Sequence, residues 1–595
     1  MSSQVRQRKK AAKTTAPKPS KWQPEPEVSY TDFQGGLFML VVLPPLLFVI
    51  GIAYFVARQA PQLFHDAFGA FFGFDESEIA RIFPTGEPPE FLVDLPRRDA
   101  VVQAFQHAWG AYERDAMGAD EYHPISHEGT NLTSAGGIGY TVVDSLDTML
   151  LMGLDQEYSR ARAWVQNNMT FERDASFNMF ETTIRVLGGL LSAYHLSGND
   201  TMYLEKAVDL ADRMIPNFNT PFGYPLSNVN LALREGLIDP GWPDFVSSAE
   251  VATLQLEFRY LSYLTGNTLY WEKVERVMST IKDNLMPHGM ASIFLNWQTG
   301  EFAISAVRLG SRADSYYEYL LKQYIQTSSV ENIYRDMYND AMNAIHKNLI
   351  KKSGSSGMTY TSELIPERGR GGEITWRLTP KQDHLVCFLG GSLLLGATTA
   401  GAVVHPVSIP PRPEELSEQG QRDWKTGMSL IKTCMDTHDT ATGLSPEIAH
   451  FRIASDTMGH DPNYPSDWYI KGAHHRPDEL PPYDARYILR PETIESLFLA
   501  YRLTGDEKFR NWAWRIFSSI EKHCRVETGG YASIINVDEV PSRMEDKMET
   551  FMLSETLKYL YLIFSDATVL PLDKYVLNTE AHPLPIFEIP QDFLS

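Results

Sequence analysis

At 595 residues, 43% hydrophobic and 22% charged, the chain is long enough for a large globular body with a sizeable core. A net charge of −22 excludes a body built to hold nucleic acid, because phosphates need a basic face. Three cysteines, Cys387, Cys434 and Cys524, exclude a disulfide-dense scaffold and permit at most one internal bridge.

The N-terminal residues 1–35 run against this trend, with Arg6, Arg8, Lys9, Lys10, Lys13, Lys18 and Lys21 facing only Glu25, Glu27 and Asp32. Next comes GLFMLVVLPPLLFVIGIAYFVA, residues 36–57, uncharged throughout and of a length that crosses a bilayer, which takes about 20 residues. Pro44 and Pro45 would kink such a helix, which membranes tolerate. A cleaved signal peptide has a shorter apolar stretch nearer the start, and a buried core helix is the other rival. The pattern predicts a transmembrane signal-anchor at 36–57, with residues 1–35 as a cytosolic tail and the body in the lumen. The sequons at Asn131, Asn168 and Asn199 all fall on the lumenal side and are candidate glycosylation sites. Residues 58–95, ending in GEPPEFLVDLP, read as a stem, and residues 96–590 as the body.

The body opens with RRDAVVQAFQHAWGAYERDA, where Val101, Val102, Phe105, Ala108, Trp109 and Tyr112 recur at helical spacing. Similar patterns fill much of the remaining chain, and few segments alternate as strands do. One phrase recurs: a helix ending in Leu-[Ser/Thr]-Gly, then Asn or Asp, then a second helix. It is centred on Gly198, Gly266 and Gly505. Glycine suits the left-handed residue that ends a helix, and Asn or Asp caps the next one. A chain of such hairpins buries its apolar faces by curving into an α/α toroid around a cavity. An open solenoid is the alternative, but the irregular period favours closure.

No phosphate-binding glycine loop and no zinc-type Cys/His spacing stand out, and the adjacent His474 and His475 read as a surface loop. Carboxylates at predicted helix starts are more informative: Glu181, Glu250, Asp314, and the pair Glu492 and Glu495. Singly, each is explained by the helix dipole, worth about 0.3–1 kcal/mol. Together, on a helical ring, they would gather at one end of its cavity, with Phe180, Tyr316, Tyr317 and Phe498 as sugar-stacking faces. Paired carboxylates in a cavity are what glycoside hydrolysis needs, one protonated and one ionised. Glu492 and Glu495 share a helix face at i and i+3, so like charge would raise the pKa of one. Glu181 and Arg185 at i and i+4 would ion-pair, which opposes a general-acid role for Glu181 unless Arg185 turns elsewhere.

The blocks GGIGYTVVDSLDTMLLMGL, FETTIRVLGG, RADSYYEYLLK, DHLVCFLGG, LRPETIES, LSETLKYLYLIFSD and LNTEAHPL resemble, in the same order, those of glycoside hydrolase family 47, the class I α-1,2-mannosidases. The resemblance covers roughly residues 95–585. It implies an all-α fold, an (α/α)7 barrel closed by a short C-terminal β-hairpin, and hydrolysis that inverts the anomeric centre. By position it implies Glu181 as general acid acting through a water, Glu492 as general base and Asp314 as a third essential carboxylate. Arg185, Glu250, Arg312, Asp383, His384, Arg490, Glu495, Phe551, Glu555 and Glu580 match residues of the family's sugar pocket. The resemblance further implies Ca²⁺ held by the hydroxyl and carbonyl of Thr579, and a disulfide between Cys387 and Cys434 that leaves Cys524 free. Oxygen-only coordination suits such a hard cation. Arg312 resembles the endoplasmic-reticulum branch, where Golgi members usually have leucine, and implies removal of one mannose from the nine-mannose N-glycan. Residence in the endoplasmic reticulum membrane or the Golgi is the corresponding expectation. Gly390 departs from the proline of many members and is expected to affect only a turn. The competing function is a lectin that binds high-mannose glycans without turnover, and the presence of Glu181, Asp314, Glu492 and Thr579 favours the enzyme.

Overall fold

Asp94 starts the first long helix. Its carboxylate accepts the Arg97 N–H at 3.3 Å, proline sits in the first turn, and α1 (Leu95–Ala116) buries Val101, Phe105, Trp109 and Tyr112. This computed structural model describes residues 89–453, 467–472 and 481–593, all within one unit, Ala80–Ser595. The basic tail, the apolar run 36–57, nearly all of the stem, and His474 and His475 lie outside the described residues. Among the described residues no helix is long and apolar enough to cross a membrane.

The long helices then follow as packed pairs. In chain order these are α2 (Leu146–Met152) with α3 (Asp155–Asn167), α4 (Gly188–Leu196) with α5 (Thr201–Met214), and α6 (Gln255–Thr265) with α7 (Thr268–Asp283). Next come α8 (Asp314–Gln326) with α9 (Asn332–Asn348), α10 (Phe388–Thr398) with α11 (Glu418–Asp436), and α12 (Glu492–Thr504) with α13 (Glu507–His523). The last, α14 (Leu557–Phe564), packs on α1. The first member of each pair also touches the first member of the next, from α2 through α12, and α12 touches α14. Burial separates two layers. Every residue of α12 and α14 is buried, whereas α7 and α13 bury a single apolar stripe.

The recurring hairpin phrase folds as its residues dictate. Gly198, Gly266 and Gly505 have φ of 78°, 69° and 71°, the left-handed region that glycine enters without a Cβ clash. Asp200, Asn267 and Asp506 then cap the following helices, accepting the N–H of Met202 (3.2 Å), Leu269 (3.2 Å) and Lys508 (2.9 Å). Strands are short and sit at loop bases, in antiparallel groups of two or three. These small sheets go beyond what alternation in the sequence foretold. The last, Tyr575–Leu577 with Pro583–Pro585, forms the expected C-terminal hairpin and carries residues 578–582 at its tip.

Cys387 and Cys434 are bonded and join the start of α10 to the end of α11, and Cys524 is free and buried. Gly390 is not in a turn. It lies in the first turn of α10, where an added Cβ would stand 2.6 Å from Ile431 Cγ1 on α11. Gly427 of α11 reciprocates, its Cβ falling 2.7 Å from the Gly390 carbonyl oxygen. The two helices approach so closely that only glycine fits between their backbones. Gly427→Ala is therefore expected to destabilise the protein by about 1–3 kcal/mol, read as a lowered denaturation midpoint. An unchanged midpoint would mean the pair relaxes freely.

Candidate active site

The helix-start carboxylates converge. One cavity of about 440 Å³ is lined by Glu181, Arg185, Glu250, Arg312, Asp314, Arg490, Glu492, Glu495, Phe551, Glu555, Thr579 and Glu580. Local structure explains each placement. Asn178 accepts the Glu181 N–H at 2.8 Å and Ser247 the Glu250 N–H at 3.4 Å, while Asp314 and Glu492 are the first residues of α8 and α12. Arg185 and Glu555 lie in π-helical turns, Thr182–Leu187 and Met552–Thr556, a distortion often found at functional sites.

Three non-glycine residues of the motif blocks have left-handed backbones: Arg312 (φ 76°), Leu489 (φ 67°) and Ala581 (φ 57°). Such conformations cost about 1–3 kcal/mol each and persist only where surroundings enforce them. Here each carbonyl is tied to another element. The Arg312 oxygen accepts the Ala249 N–H at 2.9 Å, Leu489 accepts the Thr556 hydroxyl at 2.7 Å, and Ala581 accepts Lys558 Nζ at 2.7 Å.

Arg185 makes the ion pair with Glu181 that the spacing predicted, and it serves other acids at the same time. Nε donates to Glu181 Oε2 at 2.8 Å, while Nη1 donates to Glu580 and to Thr550 Oγ1. Glu181 also accepts the Tyr140 hydroxyl at 3.3 Å and keeps 38% of its side chain exposed, against 11% for Glu492. Glu181 is thus the water-accessible carboxylate and Glu492 the desolvated one. Arg490 is clamped by both oxygens of Glu447, at 2.8 and 2.6 Å, and reaches Glu492 at 3.4 Å.

Burial dominates the electrostatics. It pushes Glu492 up to about 6 against the pull of Arg490, and Asp314 up to about 7 against hydrogen bonds from Ser315. Glu495 is raised to about 8, again mainly by burial, with Lys322 opposing and Glu318 and Glu492 adding like charge. The i, i+3 repulsion read from the sequence is real and secondary. Glu250 is pushed up to about 7 by burial, although Arg312 lies 3.7 Å away.

Some expected members stand apart. Asp383 lies behind Gly310 and pairs with Lys381 at 2.7 Å, and buried His384 bonds Thr493 Oγ1 through Nε2 at 3.1 Å, so neither lines the cavity. Of the proposed stacking rings only Phe180 faces it. Tyr316, Tyr317 and Phe498 point the other way into the core, where Tyr317 bonds the Ala291 backbone and Phe498 packs on Tyr559. Phe388 and Phe551 supply aromatic walls instead. Sequence reasoning missed Glu318, Glu447 and Glu549. Glu318 follows Asp314 by one helical turn, a spacing that does signal a shared face.

Thr579 sits on the cavity floor at the hairpin tip. Its hydroxyl donates to Glu318 Oε2 at 2.8 Å and its N–H to the Tyr319 hydroxyl at 3.3 Å. No group of three or more His, Cys, Asp or Glu side chains forms a metal cage among the described residues. The donors available are the threonine oxygens; Glu318 accepts from the hydroxyl, and Glu495, Glu555 and Glu580 line the same cavity. This all-oxygen acidic floor fits a hard cation and would not suit a soft one.

The profile of glycosyl hydrolase family 47 matches residues 104–586. The chain is 40% identical over 520 residues to an endoplasmic reticulum mannosyl-oligosaccharide 1,2-alpha-mannosidase of Schizosaccharomyces pombe, covering 85% of this chain and 94% of that protein. It is 43% identical over 498 residues to a mannosyl-oligosaccharide 1,2-alpha-mannosidase of Candida albicans, covering 82% and 83%. Among solved structures, an alpha-1,2-mannosidase from Trichoderma reesei aligns with a TM-score of 0.70 at 29% identity, covering 84% of this chain and all of that one.

Proposed function

The chain belongs to glycosyl hydrolase family 47, and from that premise we propose that this glycosidase removes a terminal α-1,2-linked mannose from high-mannose N-glycans with inversion of the anomeric centre. The observation that carries the reading is the convergence of Glu181, Asp314 and Glu492 with Thr579 in one cavity. The helix pairs, with α14 and α1 as the seventh, support an (α/α)7 barrel plugged by the C-terminal hairpin.

Glu492, ionised, takes a proton from the water that attacks the anomeric carbon. The bond from that carbon to the bridging oxygen breaks, and Glu181 returns a proton to the leaving oxygen through an intervening water. Asp314 is the third carboxylate of the reaction. Arg490, clamped by Glu447, orients Glu492, and Phe551 offers the sugar an apolar face. Thr579 would hold Ca²⁺ by its hydroxyl and carbonyl, with Glu318, Glu495, Glu555 and Glu580 ordering the surrounding shell. When bound, the ion would template the mannose hydroxyls.

Arg312, at the cavity rim over Phe294, supports removal of a single mannose from the nine-mannose glycan. The uncharged run 36–57 and the basic residues before it support a type II anchor with residues 58–595 in the lumen. The names of the relatives support the endoplasmic reticulum. Asn168 and Asn199 are exposed, as glycosylation requires, and Asn131 is exposed while its amide oxygen accepts the Asp120 N–H.

The test is mass spectrometry of a nine-mannose N-glycan incubated with the protein. Calcium-dependent loss of one hexose is the expected result, and Arg312→Leu is expected to let further hexoses leave at comparable rates. Glycan bound without any loss would make the protein a lectin. Loss of three or four hexoses by the unaltered protein would remove Arg312 as the specificity determinant.

A further inference from the structure

Behind the cavity lies a chain of buried charges that takes no direct part in the hydrolytic steps. His582 is fully buried, with Nδ1 2.7 Å from Asp147 Oδ2 and Nε2 3.1 Å from Asp144 Oδ1. Asp147 and Asp144 are also fully buried. Asp147 further receives Lys558 at 2.9 Å and Ser192 Oγ at 2.9 Å. Asp144 turns its other oxygen to Arg185 at 3.5 Å. An ionised carboxylate only accepts hydrogen bonds, so a ring nitrogen facing each aspartate must carry a proton.

The backbone is shaped for this ring. Gly188 and Gly189, the glycine pair of FETTIRVLGG, would place a Cβ 3.2 and 3.3 Å from the imidazole carbons Cδ2 and Cε1. Ala581 holds its left-handed φ of 57° directly before His582, whose N–H donates to Asn578 Oδ1 at 2.8 Å.

We propose that His582 is a positioning residue for the hydrolysis: as an imidazolium it fixes Asp144 against Arg185, and Arg185 in turn fixes Glu181 and Glu580. This rests on the hydrolase reading. Burial alone would favour neutral imidazole, yet Asp147 and Asp144 outweigh it and raise His582 to about 9, with Lys558 opposing. Without the cation, Asp147 would keep Lys558, whereas Asp144 would be left with the longer contact to Arg185 at 3.5 Å. Asp144 would take up a proton, its hold on Arg185 would weaken, and the guanidinium would settle on the cavity carboxylates alone.

The test uses the full-length protein with His582→Gln, Asp144→Asn and the double variant, assayed for mannose release. Each single change is expected to lower kcat by about 10²-fold through misplacement of the acid, with KM within about threefold. The double variant is expected to fall no further than the worse single, because both act through Arg185. Ser192→Ala removes one hydrogen bond to Asp147 Oδ2 and leaves the contacts of His582 with both aspartates in place, so it is expected to lower the melting temperature and leave kcat unchanged. Unchanged kcat in a folded His582→Gln or Asp144→Asn, or additive losses in the double variant, would overturn the proposal. If His582→Gln does not fold, Asp144→Asn decides. An activity-free arm keeps this apart from the hydrolase reading: ¹⁵N-histidine spectra at pH 7.5 should show both His582 ring nitrogens protonated. A neutral tautomer there refutes the device even if the unaltered protein releases no mannose.

Discussion

Replacing Glu492 with Gln is expected to lower kcat for mannose release by about 10²–10⁴-fold while glycan binding stays within a few-fold. The amide keeps the shape of the carboxylate and cannot take the proton of the attacking water. Arg490 should hold its place, because two bonds to Glu447 anchor it independently of Glu492. The same carboxylate is expected to set the acid limb of the pH profile. Burial lifts Glu492 to about 6, and a base works only when ionised. In the unaltered protein kcat/KM should therefore fall as pH drops through about 6, approaching tenfold per unit below it. Asp314, Glu495 and Glu250 titrate nearby, so the measured value belongs to the group of carboxylates as a whole. Single-turnover mass spectrometry of Glu492→Gln settles the assignment. A rate equal to that of the unaltered protein would move the base elsewhere, with Asp314 the next candidate.

What the sequence made legible was whatever short-range chemistry writes into neighbouring residues. The hairpin turns at Gly198, Gly266 and Gly505 could be read because a left-handed glycine and an Asn or Asp cap sit within two positions of each other. The carboxylates Glu181, Glu250, Asp314 and Glu492 could be read because each opens a helix. Long-range partnerships left no such trace. His582 meets Asp144 and Asp147 across more than 400 residues, and nothing in the local pattern of either segment announces the other. Glu447 reaches Arg490 from a loop with no helical periodicity. Helical spacing also misled, since Tyr316 and Tyr317 follow Asp314 closely in sequence but project into the core. Gly390 escapes a local reading for a related reason: its neighbour across the helix pair, Gly427, belongs to another element. Thr579 came from the family resemblance alone, because a threonine between Asn578 and Glu580 carries no metal-binding signature.

Stripping calcium from the protein is expected to arrest mannose release and to lower its unfolding temperature, and adding it back should restore both. The argument is the rigidity of the hairpin tip. Asn578 donates to Glu257 and to the Ile184 carbonyl, both at 2.8 Å, and accepts the N–H of Glu580 at 2.9 Å, so the Thr579 oxygens are held before any ion arrives. Around them Glu318, Glu495, Glu555 and Glu580 share the cavity floor with Lys322 and Arg185 as its nearest cations. Burial and neighbouring carboxylates push Glu495, Glu555 and Glu580 up, and a divalent cation would favour their ionised forms. At a concentration 100-fold above its Kd it should stabilise the fold by about 2.7 kcal/mol, which calorimetry resolves without any assay of activity. Thr579→Val removes one donor and should abolish the calcium-dependent rise in melting temperature. Glu318→Gln leaves the threonine in place and weakens only its support, so it should lower calcium affinity by about 10–100-fold. A Thr579→Val protein that kept the full calcium response would place the ion elsewhere on the acidic floor. An undiminished calcium response in both variants would separate the ion from the hairpin tip altogether.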